Sequence, residues 1–211
     1  MLSARLSLAQ WLSPAFPTGA FAASHGLETY IAQAEIRSGA AFEDWLRGVL
    51  EFGTGWQDAV LIAQALEPEA DLTDLADIAR ALAPGGERLS ESADQGAAFA
   101  RTVSALIDQP IAPAPLPVAY AAAARDLNLP KHEVIALYLL AFAGNLTSVA
   151  TRAVPLGQTE AQQRLAGLTP LILELASRAA SASLADLGAS ALAGDIASLR
   201  HETLDVRLYR T

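Results

Sequence analysis

The chain has 211 residues, no cysteine and a formal net charge of −9, and 52% of its residues are hydrophobic. This length fits one domain, or two small ones, with enough apolar residues for a sizeable core. The absence of cysteine excludes disulfides, thiolate metal sites and cysteine nucleophiles. The sequence pI is near 4.7, and an acidic surface repels phosphate backbones, so we expect no nucleic-acid partner.

The high apolar content raises the possibility of a membrane protein. The strongest apolar run, VIALYLLAFAG at residues 134–144, has eleven residues, whereas a spanning helix needs about twenty. The first residues carry one arginine, and their apolar stretch is interrupted by serines and Gln10, unlike a secretory signal. We therefore expect a cytoplasmic protein that does not associate with membranes.

Helical periodicity dominates the chain from end to end. Ser24 is a plausible N-cap for a helix to about residue 36, and Asp71 starts another. Four prolines in residues 110–117 indicate a stiff, extended connection. Helices are predicted at residues 2–12, 24–36, 41–53, 56–66, 72–82, 87–107, 118–127, 131–153, 158–181 and 195–202.

These patterns predict an all-α fold: a single compact helical domain of roughly eight to ten helices. The helix at residues 131–153 is apolar almost all round in its first half, so we expect it to be central and buried. No segment shows the apolar–polar alternation typical of a half-buried strand.

Candidate catalytic and metal-binding patterns are weak. The three histidines, His25, His132 and His201, are far apart in sequence and lack metal-ligand spacing, so separate packing or surface roles are favoured. The chain has neither a phosphate-binding P-loop nor a G-x-S-x-G nucleophile motif. We expect no bound cofactor or metal. A ligand pocket near Tyr138 and Asn145 is an open alternative, and a satisfied core amide at Asn145 is the simpler interpretation.

Three segments have compositions that are unusual for simple connections between helices. The loop at residues 13–28 presents aromatic residues between Pro and Gly, and Gly26 in a first helical turn suggests a need for small size. Arg152 falls near a helix C-terminus, where the helix dipole favours a cation. The last residues, RHETLDVRLYR at 200–210, mix Arg with Leu, Val and Tyr, as a docking segment does.

These segments together resemble the urease accessory protein UreF family. The resemblance rests on SPAFPTGAF at residues 13–21, SHGLE at 24–28, RAVPLGQ at 152–158, and DIASLRHET at 195–203 through RLYR at 207–210. Each motif is only moderately specific, but all of them occur in the family's order in a helical chain of the right length. The resemblance covers residues 1–211 as one domain, with residues 203–211 as a partner-docking tail.

The resemblance implies an accessory role rather than catalysis. Members of the family complex with UreD (also called UreH) and the GTPase UreG, act on apo-urease during nickel insertion, and tend to form homodimers. The resemblance implies that the assembly as a whole binds nickel cations. Because this chain has no cysteine and its histidines are scattered, we expect a partner to carry the nickel. In the family the tail contributes to the UreD contact.

Carried onto this sequence, the resemblance gives a set of expected partner-binding residues. We expect Arg200, Arg207, Tyr209 and Arg210 to anchor UreD, and the loop around Phe21 to contribute to partner or dimer surfaces. The full set is Pro17, Gly19, Phe21, Ser24, Gly26, Glu28, Arg152, Pro155, Gly157, Gln158, Arg200, His201, Glu202, Arg207, Tyr209 and Arg210.

An alternative role is the activation or coupling of the UreG GTPase in trans. Arg152 is then a candidate arginine finger, provided that it is exposed and able to reach the nucleotide. A simple scaffold needs no such residue. A helical enzyme or ligand-binding bundle is a third, less favoured, interpretation.

Overall fold

The protein is described by a computed structural model that covers residues 2–188 and 192–211. Helices account for most of these residues, and no strand occurs among them. The α-helices are α1 (Leu2–Trp11), α2 (Leu27–Ala32), α3 (Gly39–Phe52), α4 (Thr54–Ala65), α5 (Leu72–Ala81), α6 (Gly86–Ile107), α7 (Leu116–Ala124), α8 (Lys131–Ala153), α9 (Gln158–Gly167), α10 (Thr169–Ala179) and α11 (Leu192–His201).

The all-α prediction is confirmed. Nine of the helices in the described ranges have ten residues or more, in agreement with the predicted eight to ten, and the other two are shorter. The predicted helix at residues 158–181 divides into α9 and α10, with Pro170 in the first turn of α10, where its missing N–H costs nothing.

The helix predicted at residues 24–36 is wrong in its bounds, and the reason is local. His25 and Gly26 both have positive φ angles, 54° and 78°, which no right-handed helix contains. The chain therefore turns at these two residues, and α2 begins only at Leu27 and ends at Ala32. Ser24 lies outside the helix and Gly26 takes the N-cap position, although the Ser24 hydroxyl accepts a hydrogen bond from the Glu28 N–H at 3.4 Å.

Two helix starts follow ordinary capping chemistry. The Ser38 hydroxyl accepts a hydrogen bond from the Ala41 N–H at the start of α3. The Asp71 carboxylate accepts from the N–H groups of Thr73 and Asp74 at the start of α5, as the sequence predicted.

The hydrophobic core centres on α4, α7 and α8. Residues 59–63 of α4 are buried without interruption, and seven of the nine residues of α7 are buried. The prediction of a central buried helix is confirmed in α8, which contacts α2, α3, α4, α9 and α10. Tyr120 and Phe99 stack edge to face inside this core, 6.0 Å between ring centroids.

Within the described ranges, α8 is also the one helix long and apolar enough to cross a membrane by length and composition. The apolar run counted in the sequence has eleven residues, but the helix has 23, so length does not settle the question. Packing is more informative, because half of the most apolar window is buried against other helices, as in a core helix.

Candidate functional site

The C-terminal segment, residues 203–211, is docked on its own chain and is called the tail below. Its end pairs with the loop that precedes α2: the Arg210 N–H donates to the Ala22 carbonyl, and the Ser24 N–H donates to the Thr211 carbonyl, both at 2.8 Å. The Ser24 hydroxyl donates to the same carbonyl. Thr211 is only 2% exposed, which is unusual for a residue at the end of a flexible tail.

Glu28, in the first turn of α2, holds the middle of the tail. Its buried carboxylate accepts hydrogen bonds from the main-chain N–H of Leu208 at 2.7 Å and of Tyr209 at 3.0 Å. A carboxylate that accepts two N–H groups makes charge-assisted bonds, which are stronger than neutral ones. The buried acid therefore fixes the tail through its backbone, independently of the side chains that the tail carries.

His201 joins this anchor to a second carboxylate. The ring is fully buried at the end of α11, with Nε2 3.0 Å from Glu28 and Nδ1 2.7 Å from Glu87 of α6. Glu87 also accepts from the Arg207 guanidinium of the tail, at 2.5 Å. One histidine thus ties α2, α6 and α11 together beneath the tail.

A second polar cluster receives the last residue. The Thr211 hydroxyl donates to Glu91 of α6 at 2.5 Å, and Glu91 is also paired with Arg88 and with His25. Burial opposes ionisation of Glu91, but Arg88 and His25 outweigh it and hold the pKa of this carboxyl well below its usual range. Burial, reinforced by Arg88, lowers the pKa of His25, although Glu91 opposes this shift. The ionised Glu91 is therefore a strong acceptor for Thr211.

Gly26 permits the close contact of α11 with this region. A Cβ atom at Gly26 would lie 2.9 Å from the Ser198 nitrogen of α11, which is too close for any side chain. Next to it, the Thr29 hydroxyl donates to the Ala197 carbonyl of α11 at 2.9 Å. The sequence indicated that something near Gly26 requires a small residue, and that neighbour is α11.

Arg152 connects the tail to the end of α8. Its guanidinium carbon lies 5.3 Å from the centroid of the Tyr209 ring, within cation–π range. The same guanidinium donates to the carbonyls of Phe21 and Ser148, at 3.3 and 3.2 Å. Arg152 is exposed, as the arginine-finger alternative requires, but its hydrogen bonds and its ring contact are all made within the chain.

The structure sorts the expected partner-binding residues into three groups. The buried group underlies the tail, so its members reach a partner only if the tail moves: Ser24, Gly26, Glu28 and His201. A second group is exposed or half-buried: Pro17, Gly19, Phe21, Arg152, Arg200, Glu202, Arg207, Tyr209 and Arg210. The third group is exposed at the α8–α9 corner, and none of its hydrogen bonds in the described chain reaches the tail: Pro155, Gly157 and Gln158.

Sequence reasoning missed the α6 residues that complete the site. Glu87 and Glu91 are one turn apart, with Arg88 beside them, so all three face the tail and the 24–28 segment. A charged stripe with helical spacing in so apolar a chain is the signal that could have identified them. Glu202 belongs to the same junction, because its carboxylate accepts from the Glu87 N–H at the start of α6.

Docking of the tail also forms a groove of about 600 Å³ between the tail, α6 and the loop at residues 18–23. Arg207, Tyr209, Arg210 and Thr211 supply one wall. The α6 carboxylates of Glu87, Glu91 and Asp94 also line the groove. The groove therefore exists only while the tail is in place.

Tyr138 and Asn145 do not converge on a shared pocket, because each side chain binds a different partner. The Tyr138 hydroxyl donates to Asp58 at 2.6 Å, whereas Asn145 donates to the Ala20 carbonyl at 2.8 Å, on the tail side of α8. The cavity beside Asp58 measures about 30 Å³, which is room for about one water molecule. Asn145 is thus the satisfied amide that the simpler interpretation predicted.

No group of three or more His, Asp or Glu side chains in residues 2–188 and 192–211 is arranged so that it could hold a metal ion. Fold and site together define an all-α protein that displays its own docked C-terminal segment. The profile of the UreF family matches residues 36–169, well over half of the chain. The chain belongs to the UreF family of urease accessory proteins.

Full-length relatives support the same assignment. A urease accessory protein UreF from Cereibacter sphaeroides strain KD131 is 56% identical over 214 residues, covering 100% of both chains. The protein of that name from Paracoccus denitrificans is 47% identical, covering 99% of this chain and 97% of the relative. That from Jannaschia sp. strain CCS1 is 44% identical, covering 98% and 94%. The relatives are named accessory proteins rather than enzymes, which confirms the prediction of a non-enzymatic role.

Proposed function

We propose that this chain is a scaffold in urease maturation, which joins UreD and the GTPase UreG in a complex that acts on apo-urease during nickel insertion. Family membership supports the general role. The observation that carries the specific proposal is the docked tail, because the carboxylates of Glu28, Glu87 and Glu91 hold a segment that contains Arg and Leu at the surface. Residues 1–211 act as one domain, and the tail is its docking element for UreD.

Truncation tests the tail's role directly. We expect a chain that ends at Leu199 to lose capture of the cognate UreD in a pull-down, because the proposed docking element is gone. Far-UV circular dichroism and the melting temperature of the truncated chain establish that the helical core persists. Undiminished UreD capture by a folded, truncated chain would contradict the proposal.

We propose further that the chain forms a homodimer through α1 and α8. Leu2 and Leu6 are one turn apart on α1 and are exposed, and Leu140 is exposed on α8. The two helices are in contact, and an ion pair between Arg5 and Glu133 joins them at 2.5 Å. Exposed leucines on two adjoining helices are typical of a surface that a second protein covers.

Nickel is the cargo of the proposed assembly, and we propose that a partner carries it in the cytoplasm. The histidines of this chain support that division of labour. His25 and His201 are each engaged by carboxylates of the tail-docking network, and His132 lies at the exposed start of α8.

GTPase activation through Arg152 is the second candidate, since Arg152 is exposed. Its contacts with Phe21, Ser148 and Tyr209 favour a structural role in the scaffold. For Arg152→Ala we expect single-turnover GTP hydrolysis by UreG, within the saturated complex, to proceed at the wild-type rate. A loss of about 10³-fold or more, typical of a missing arginine finger, would instead support catalysis in trans.

A further inference from the structure

His201 lies between two carboxylates, and both of its ring nitrogens are engaged. Nε2 is 3.0 Å from a Glu28 oxygen, and Nδ1 is 2.7 Å from a Glu87 oxygen. A neutral imidazole has one N–H donor and one bare acceptor nitrogen, whereas an ionised carboxylate offers acceptors only. A neutral His201 can therefore satisfy only one of the two carboxylates. Its other nitrogen would place a lone pair against a carboxylate oxygen.

The donors around the two carboxylates place the second proton of this bridge on the ring. Glu28 accepts from the main-chain N–H groups of Leu208 and Tyr209, and Glu87 accepts from the Arg207 guanidinium. An ionised, acceptor-only carboxylate matches these donors. The His201 ring is fully buried, and a buried charge needs a partner of opposite sign. A doubly protonated His201 supplies that charge to both carboxylates.

The other charged groups at this junction are already engaged. Arg207 pairs with Glu87, Arg88 pairs with Glu91, and the Glu202 carboxylate receives the Glu87 N–H. Burial lowers the pKa of His25, so that ring is neutral above pH 7 and does not titrate there. His201 is the last residue of α11, where the helix dipole also favours a cation.

We propose that His201 is a pH-sensitive latch of the tail: its doubly protonated ring bridges Glu28 and Glu87 and keeps the tail docked, and loss of one ring proton loosens it. The two carboxylates hold the tail at Leu208, Tyr209 and Arg207, so one proton acts on three contacts. The latch lies within this chain and requires no partner. It is therefore independent of the proposed docking of UreD.

The direction of the pH dependence follows from proton linkage. The docked state keeps a ring proton that a free imidazole gives up at about pH 6.5. Above that pH, release of the tail is accompanied by release of this proton, so a rise in pH favours the released state. Docking is therefore strongest in mildly acidic solution and weakens as the solution becomes alkaline.

Hydrogen exchange of the isolated full-length protein tests the latch. Protection factors at the Leu208 and Tyr209 amides, which remove the intrinsic pH dependence of exchange, are compared at pH 7 and pH 9. We expect a fall of at least about tenfold, since one linked proton allows up to about tenfold per pH unit. The buried Leu139 amide of α8 reports on the core and should keep its protection. His132→Gln, at the exposed histidine, is the matched control and should show the wild-type pH dependence.

His201→Gln keeps one donor and one acceptor but has no charge. We expect it to lower the protection of the tail amides at pH 7 and to remove the difference between pH 7 and pH 9. Nitrogen-15 NMR of the His201 ring gives a second readout that needs no variant, and both ring nitrogens should carry protons at pH 7. Either of two results would overturn the inference: a His201 ring with one bare nitrogen while the tail is docked, or wild-type protection factors that agree within about twofold at the two pH values.

Discussion

At the residue scale, the SHGLE segment at residues 24–28 is the docking site of the tail. Ser24 binds the Thr211 carbonyl, His25 pairs with the acceptor of the Thr211 hydroxyl, and Glu28 binds two tail amides. The resemblance singled out this segment as partner-binding, and the structure gives its residues internal contacts. The side chains of this segment therefore hold the tail in position, and the exposed surface belongs to the tail.

Replacing Glu28 by Gln should release the tail. The amide retains one oxygen acceptor but loses the charge and presents an N–H₂ group to the donors of Leu208 and Tyr209. We expect a loss of about 2 kcal/mol or more, or roughly 30-fold faster hydrogen exchange at these two amides. Glu133→Gln, which removes an ion pair with Arg5 far from the tail, is the control. Unchanged exchange in Glu28→Gln would refute the anchoring role.

Asp58 gives a pH-dependent prediction. Burial raises the pKa of Asp58 from 3.8 to about 6, and the hydrogen bond from Tyr138 only partly offsets this. The folded state therefore binds the proton more tightly than the unfolded state does. The resulting stabilisation is complete below pH 3.8 and is lost as the pH rises through about 6.

Asp58→Asn removes this titration but keeps an acceptor for Tyr138. We expect the free energy of unfolding of the variant to exceed that of the wild type by more at pH 8 than at pH 5. The change between the two pH values stays below about 3 kcal/mol, because Asp58 is partly exposed and solvent screens its charge. Urea unfolding at both pH values measures the difference. An equal effect of Asp58→Asn at pH 5 and pH 8 would contradict the assignment.

At the element scale, the junction of α6 with the proline-rich connection depends on Gly96. A Cβ at this position would lie 1.8 Å from the Ala114 carbonyl oxygen and 2.8 Å from the Leu116 nitrogen, so backbone would have to move. This approach lets α7 pack along α6 directly after the stiff segment at residues 110–117.

Gly96→Ala is therefore expected to destabilise the protein by about 1–3 kcal/mol, despite the better helix propensity of alanine. Gly48→Ala is the matched control, because Gly48 lies within α3 and no neighbouring atom is within 4 Å of the place that a Cβ would take. There we expect a gain of about 0.5–1 kcal/mol. Thermal unfolding measures the stability of both variants. If Gly96→Ala were as stable as Gly48→Ala, the backbone at the α6–α7 junction would be able to move without a large cost in free energy.

Helix positions were largely predictable because helices depend on local patterns. The helix at residues 131–153 is predicted with its observed bounds, and Asp71 caps α5 as expected. The start of α2 was predicted too early for a local reason as well. A left-handed backbone conformation is uncommon for a residue such as His25, and no sequence pattern predicts it there. The tail contacts were not predictable, because Glu87 and Arg207 are 120 residues apart.

At the scale of the whole molecule, the proposed dimer depends on the leucines of α1. We expect Leu2→Ser with Leu6→Ser to convert a dimer to a monomer in light scattering coupled to size-exclusion chromatography, because the apolar contact between protomers is lost. Leu173→Ser, at an exposed leucine of α10, is the control and should leave the dimer intact. A dimer that persists in the double variant would place the interface elsewhere.

The sequence by itself determined the helical class, most helix positions and the family resemblance, because periodicity, capping and short motifs are encoded locally. It also marked the 24–28 segment and the tail as special, without relating one to the other. Only the tertiary structure decided that these two segments bind each other and that α6 supplies the carboxylates between them. Those properties arise from hydrogen bonds and ion pairs between residues more than a hundred positions apart, which no local pattern specifies.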